Sequence, residues 1–138
     1  MASPTLVPTP RVNQVSGVVV NAAMRVHSLM GPGLLESAYQ ACLAQELRNR
    51  GLKVATQLGL PVVYDGEKLD VGYRIDLLVE NLGIVEIKSV DAIHPVHEAQ
   101  LLSYLRLSGK NVGLLINFHV ARLKDGIWRM VDGKDWEN

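Results

Sequence analysis

Three residues of this chain have the types and spacing to do chemistry together. Asp76 lies in Tyr73-Arg74-Ile75-Asp76-Leu77-Leu78, and Glu86 and Lys88 lie in Ile84-Val85-Glu86-Ile87-Lys88-Ser89. Both segments are otherwise apolar and read as strands. Residues two apart on a strand share a face, so Glu86 and Lys88 project together while Val85 and Ile87 turn the other way. A charge in an apolar strand is costly unless it is paired or binds metal. Two carboxylates on neighbouring strands would offer hard oxygen ligands to Mg²⁺ or Mn²⁺, with water and a substrate phosphate completing the shell. A cation held there polarises a phosphoryl oxygen and lowers the pKa of a water. A lysine beside it can orient that water, help remove its proton, or neutralise developing charge. An isolated Glu-x-Lys is more often a surface ion pair. The preceding Asp and the strand context set this one apart.

Asp76 can join the other two only if the hairpin puts it on the Glu86 face. That register places Val79 opposite Gly83 and leaves an odd-length loop, Glu80 to Leu82. An even loop would put the carboxylates on opposite faces. Gly83 suits a bulged three-residue connection.

The elements that must position these residues follow from periodicity. Apolar residues at Val15, Val19, Ala22, Ala23, Val26 and Leu29–Met30 predict a helix over Val15 to Leu29. Gly31-Pro32-Gly33 breaks it. A second helix is predicted from about Leu34 to Arg50, with Leu35, Ala38, Tyr39, Cys42, Leu43 and Leu47 at helical spacing and Gly51 at its end. The pattern then changes. Lys53 to Tyr64 and Lys68 to Val79 read as strands around an Asp65-Gly66 turn, the second with Leu69, Val71, Tyr73, Ile75 and Leu77 on one side. Ile84 to Val90 is a third strand. Pro95 opens a helix that runs to Ser108, and Asn111 to Phe118 reads as a buried strand. Val120 to Leu123 and Ile127 to Val131 flank Lys124-Asp125-Gly126, a hairpin signal. This is an α/β chain with a mixed sheet covered by helices.

Asp76 followed by Glu86-x-Lys88 on the next strand resembles the PD-(D/E)XK nuclease superfamily. Gly33-Leu34-Leu35-Glu36-Ser37-Ala38-Tyr39 is similar to the G-x-x-E-x-x-Y signature of the GxxExxY protein family. The likeness continues through Leu77-Leu78, Glu86-Ile87-Lys88, His97 to Tyr104 and Gly113 to Phe118, and spans about Val15 to Val131. Ile75 stands where the superfamily name has Pro. The resemblance implies a restriction-endonuclease-like fold with core order α-β-β-β-α-β, here with an extra N-terminal helix and a C-terminal hairpin. It implies Asp76 and Glu86 as metal ligands, with the Ile87 carbonyl adding another, and Lys88 acting on the attacking water.

Other site residues are expected from the same resemblance. Glu36, at the start of the second helix, would reach the metal through water, although a helix dipole alone favours an acid there. Tyr39 is one turn further and reads as core or support. Gln100 and Tyr104 share a helix face, where similar nucleases use Gln near the metal and Tyr near the nucleic-acid backbone. His27 is either a recruited ligand or a helix C-terminal imidazole. Arg74 either contacts phosphate or pairs with a carboxylate. His94 and His97 read as capping or surface groups.

Composition sets the bounds. The chain has 138 residues, 48% hydrophobic and 20% charged, an ordinary globular mix. We expect one domain over residues 13–138 behind a flexible tail, 1–12, rich in proline. Its single cysteine, Cys42, excludes a disulfide within the chain and suggests a reducing, cytoplasmic setting. No run approaches a membrane span. The balance of 14 basic and 14 acidic residues argues against a strongly basic nucleic-acid coat, though not against a local groove. Neither a P-loop nor a G-x-S-x-G motif is present.

The expected activity is Mg²⁺- or Mn²⁺-dependent hydrolysis of a nucleic-acid phosphodiester, with DNA the expected partner and a homodimer, joined through the terminal hairpin, a way to extend the groove. One rival is a non-catalytic binding or assembly module of the same fold. The other is a hydrolase of small phosphate esters, which would need a closed pocket rather than an open groove.

Overall fold

The computed structural model describes residues 10–132. Helix α1 is Pro10–Met30 and α2 is Glu36–Asn49. The helix therefore begins inside the expected tail, and residues 1–9 and 133–138 lie outside the described residues. Proline suits a first helical position, where no N–H is needed. Val15, Val19, Ala22, Ala23 and Val26 are buried, as are Tyr39, Leu43, Ala44 and Leu47 of α2. Leu29, Met30 and Leu35 are exposed, because the chain turns away from the core around Gly31-Pro32-Gly33.

Each of the two strands expected over 53–64 and 68–79 is broken in two. The pieces are β1 (Val54–Gly59), β2 (Val62–Tyr64), β3 (Glu67–Leu69) and β4 (Arg74–Val79). Pro61 lacks an N–H, and Gly72 adopts φ +80°, so neither run can continue its ladder. β1 pairs antiparallel with β4, while β2 and β3 form a separate two-stranded arm closed by Asp65-Gly66. Leu69, Val71 and Tyr73, expected on one side with Ile75 and Leu77, are exposed.

β5 (Gly83–Lys88), α3 (Pro95–Ser108), β6 (Val112–Asn117) and β7 (Ile127–Val131) complete the fold. The main sheet has five strands in the order β1-β4-β5-β6-β7. β5 and β6 are parallel, with α3 as the crossover, and the other neighbours are antiparallel. Counting each broken run as one strand, the expected order α-β-β-β-α-β is present. α1 and α2 bury one face of the sheet against Leu77, Val79, Val85, Ile87, Leu114 and Ile116. α3 covers the other through Leu101, Tyr104 and Leu105, against Ile75, Leu78, Ile84 and Leu115. Gly113 makes room for α3, since a Cβ there would lie 2.8 Å from Leu101.

The C-terminal hairpin differs from the expected one. Residues 120–123 form no strand, and a 3-10 turn, Leu123–Gly126, leads into β7, which pairs back onto β6. Leu123 is buried in the core, and Gly126 passes so close to Asn117 that a Cβ would lie 2.2 Å from its carbonyl oxygen. The hairpin is thus β6–β7, with the segment 118–126 as its connection. Among the described residues no helix is long and apolar enough to cross a membrane.

Candidate active site

The β4–β5 register is the one the carboxylate pair requires. Val79 faces Gly83, Leu78 faces Ile84, and Leu77 faces Val85. The loop 80–82 carries its left-handed residues at Glu80 (φ 54°) and Asn81 (φ 56°), not at Gly83. Leu82 N–H closes it on the Val79 carbonyl at 3.0 Å. The next facing positions are Asp76 and Glu86, and here the backbone ladder gives way to side chains. Glu86 Oε2 accepts the Asp76 N–H at 2.9 Å, and Asp76 Oδ2 accepts the Ile87 N–H at 2.8 Å. The strands part at this point, and the carboxylates satisfy the amides that parting would leave bare.

Asp76 is also where β4 changes face. Ile75 packs under α3, whereas Leu77, two residues on, packs under α1 and α2. A regular strand would send both the same way. The break coincides with an interruption on the other side of β4. Gln57 and Asp76 stand between the Thr56–Leu77 and Leu58–Ile75 pairs, and Gln57 is left-handed at φ 50°. Arg74 lies beyond this break, paired with Gly59. Its guanidinium bonds the Tyr73 carbonyl at 2.8 Å and lies 3.9 Å from Asp70, beside Gly59. The carboxylate it approaches, Asp70, is exposed.

Glu86 is 5% exposed and Asp76 half-buried. Burial, and then the neighbouring Asp76 charge, pushes the Glu86 carboxyl up to about 8. Burial also raises Asp76, against the lowering effects of the Ile87 and Gln57 hydrogen bonds and the Lys88 charge. Lys88 ends β5, half-buried, and its charge opposes both shifts. Glu36 raises both carboxyls, and so belongs to the same electrostatic neighbourhood.

α2 brings Glu36 there. Glu36 Oε2 accepts the Ser89 N–H at 3.1 Å, and Ser89 Oγ donates to the Leu34 carbonyl at 2.7 Å. Ser89 thus ties the end of the Glu86-x-Lys88 strand to the start of α2. The Tyr39 hydroxyl donates to the Gly31 carbonyl and accepts the Leu34 N–H at 3.1 Å. Its ring is fully buried and stacks on Phe118 at 4.4 Å. Tyr39 is therefore a brace that sets the entry of α2, and Gly33 supplies the φ of 102° that this entry needs.

Between α2 and the β4–β5 ends lies a cleft of about 590 Å³, lined by Leu34, Glu36, Gln40, Gln57, Asp76 and Ser89 among others. Glu36, Ser37 and Gln57 on its rim are exposed, so it is open to solvent. The lining includes Asp76 and Glu36 but not Glu86, Lys88, His27 or Gln100. His27 bonds the Val120 carbonyl through Nε2 at 2.9 Å, which makes that nitrogen the donor and ties α1 to the β6–β7 connection. Gln100 is exposed on α3, and its amide donates to the Tyr104 hydroxyl at 3.1 Å. Tyr104 is buried and its hydroxyl is raised by burial, with Glu86 and Asp76 adding to the shift. That pair approaches the carboxylates from the α3 side. His97 Nδ1 accepts the His94 N–H at 3.0 Å, the capping arrangement expected of a helix start.

Four residues escape sequence reasoning. Gln57 donates to Asp76 and to Gln40. Ser89 has only its position after Lys88 to mark it. Asn117, 2% exposed, clamps the Val90 backbone with both ends of its amide at 3.1 and 2.9 Å. A polar residue closing the apolar run of β6 was its one signal.

Fold and site together define a mixed α/β, nuclease-like fold whose two carboxylates bond across the point where two central strands part, within reach of the Lys88 charge. A sequence model of the PD-(D/E)XK nuclease superfamily matches residues 13–130, and the chain belongs to that superfamily. No curated relative matches the sequence. A solved structure described as LHK-Exo in complex with dAMP aligns over 88% of this chain and 85% of that chain, at 16% identity and a TM-score of 0.46. That likeness is too distant to bear on the site.

Proposed function

We propose that the chain is a Mg²⁺- or Mn²⁺-dependent nuclease that hydrolyses phosphodiester bonds, with DNA as the leading substrate. The observation that carries this reading is the interlocked Asp76–Glu86 pair, with Lys88 on the same strand, at the point where β4 and β5 separate. The donor set fits a hard divalent cation. Two carboxylates raised by burial, one of them further by its neighbour's charge, are relieved by positive charge between them. Among the described residues no group of three or more His, Cys, Asp or Glu closes around an ion. Water and substrate oxygens would then complete the shell, as Mg²⁺ readily accepts.

Asp76 and Glu86 would hold the cation, with the Ile87 carbonyl as a third donor. When bound, it would polarise a phosphoryl oxygen and make a nearby water more acidic. Lys88 would orient the attacking water and offset charge that develops on the phosphate. Glu36, held by Ser89, would position water at the cleft side. Gln100 and Tyr104 would support the α3 side. The open cleft favours a polymer over a small phosphate ester. The likeness of Gly33 to Tyr39 to a G-x-x-E-x-x-Y signature supports membership of the GxxExxY group.

Labelled single-stranded, duplex and branched DNA, and matching RNA, should be cleaved only with Mg²⁺ or Mn²⁺. Asp76→Ala and Lys88→Ala should both abolish cleavage. Wild-type protein that binds metal yet cleaves none of these substrates would move the binding-module reading ahead.

A further inference from the structure

Gln57 is the odd residue at the site's edge. It is neither glycine nor asparagine, yet it holds φ 50° in the middle of β1. It is exposed, so no packing forces it there. Left-handed backbone in an L-residue persists only where its surroundings over-determine it, and such positions gather at functional sites. Here the conformation coincides with the interrupted pairing opposite Asp76. Its outcome is a chain of hydrogen bonds. The Gln57 carboxamide nitrogen donates to Gln40 Oε1 at 2.6 Å and to Asp76 Oδ1 at 3.2 Å. Gln40 follows Glu36 by one helical turn, so α2 supplies both an acid to the cleft and the anchor for this amide.

The Asp76 carboxylate is consequently gripped at both oxygens. The Ile87 N–H holds Oδ2 from β5, and Gln57 holds Oδ1 from β1. One grip alone would leave rotation about the carboxylate axis. The two together fix its plane, and each oxygen keeps a lone pair for another partner. We propose that Gln57 is a positioning residue of the metal site: anchored on Gln40, its amide fixes the plane of the Asp76 carboxylate so that the pair with Glu86 is preformed for a divalent cation. This rests on the metal-dependent reading above. It assigns Gln57 and Gln40 no contact with substrate.

The test is Mn²⁺ binding to the full chain without nucleic acid, by calorimetry and by the water-proton relaxation of bound Mn²⁺. Gln57→Gly removes the amide while allowing the left-handed backbone, and should not lower the metal-free melting temperature. Partners that orient a ligand typically contribute tenfold or more in affinity, so its Mn²⁺ dissociation constant should rise roughly tenfold. Gln40→Ala leaves the β1 backbone untouched and should weaken binding in the same direction, by less. Unchanged Mn²⁺ affinity in Gln57→Gly overturns the proposal. Should that variant fail to fold, unchanged affinity in Gln40→Ala overturns it instead. A wild-type chain that binds no Mn²⁺ overturns the metal-dependent reading, and this inference with it, so the two failures are distinguishable.

Discussion

Asp76 and Glu86 replace the β4–β5 ladder with their own carboxylates. Glu86 accepts the Asp76 amide, and Asp76 accepts the Ile87 amide, at 2.9 and 2.8 Å. The arrangement gives each acid a structural bond and still leaves oxygen lone pairs over for a cation. Structure and chemistry are therefore separable by substitution at one position.

Asp76→Asn keeps an oxygen for the Ile87 N–H and removes the charge. Asp76→Ala removes both. We expect both variants to lose metal binding and cleavage. Asp76→Ala should be the more destabilised, by about 1–3 kcal/mol, because it strands a buried amide, whereas Asn gives up only the exposed Gln57 contact. Chemical denaturation of the three proteins in a chelating buffer checks this. Equal destabilisation of Asn and Ala variants would show that the hydrogen bond is not what Asp76 contributes to the fold.

The Glu86 carboxyl, pushed up to about 8, makes a stability prediction. Its folded value lies above the ordinary 4.5, so between these limits the folded state holds more protons than the unfolded chain. Stability from this group is full below pH 4.5 and is lost as pH rises through about 8. Metal-free protein should therefore weaken over that window, by an amount on the order of a few kcal/mol. Glu86→Gln should flatten the trend and be the more stable protein at pH 8. Metal affinity should move oppositely and rise with pH, since the cation takes the ionised form. Denaturation midpoints and Mn²⁺ titrations across pH 5–9 test both signs.

Lys88→Ala separates binding from catalysis. The Lys88 charge lowers both carboxyls, and among the described residues its side chain makes no hydrogen bond or ion pair. Its removal should leave Mn²⁺ binding in place while cleavage falls by roughly 10²–10⁴, the range for a lost acid–base or charge-stabilising group. Single-turnover rates at saturating Mn²⁺ measure this directly. A rate within a few-fold of wild type would remove Lys88 from the chemistry.

How much of this is legible in the sequence differs by residue. The facing of Asp76 and Glu86 follows from loop parity alone, because a strand's side-chain period is two and the loop 80–82 is odd. The helices were legible because their buried faces repeat every three to four residues. The failures share a cause. A regular strand puts Ile75 and Leu77 on one face, and β4 splits them between the two faces of the sheet. The break at Asp76 lies opposite left-handed Gln57 on a different strand, and no local pattern in Thr56-Gln57-Leu58 announces it. Residues 120–131 carry a good hairpin signal, yet β6 offered β7 an unpaired edge and buried Leu123 held the intervening turn in the core. Tertiary pairing prevailed over local turn chemistry. His27, open to either a ligand or a helix-end role from sequence, bonds the Val120 carbonyl through Nε2, a partner 93 residues away that no local pattern marks.

Tyr39→Phe tests whether the brace on α2 matters to the site as well as to the fold. The ring and its stack on Phe118 would remain, but the hydroxyl bridge between the Gly31 carbonyl and the Leu34 N–H would be lost. A buried group left without its partner costs about 1–3 kcal/mol. The loss falls on the segment that places Glu36 and receives the Ser89 hydroxyl. Stability should drop by that amount, and cleavage should fall more than stability alone explains when measured well below the melting temperature. Ser89→Ala breaks the same junction from the β5 side and should reduce cleavage with a smaller change in melting temperature. If both variants cleave at the wild-type rate, the position of Glu36 is not used in the reaction, and the acid at the start of α2 serves only its helix.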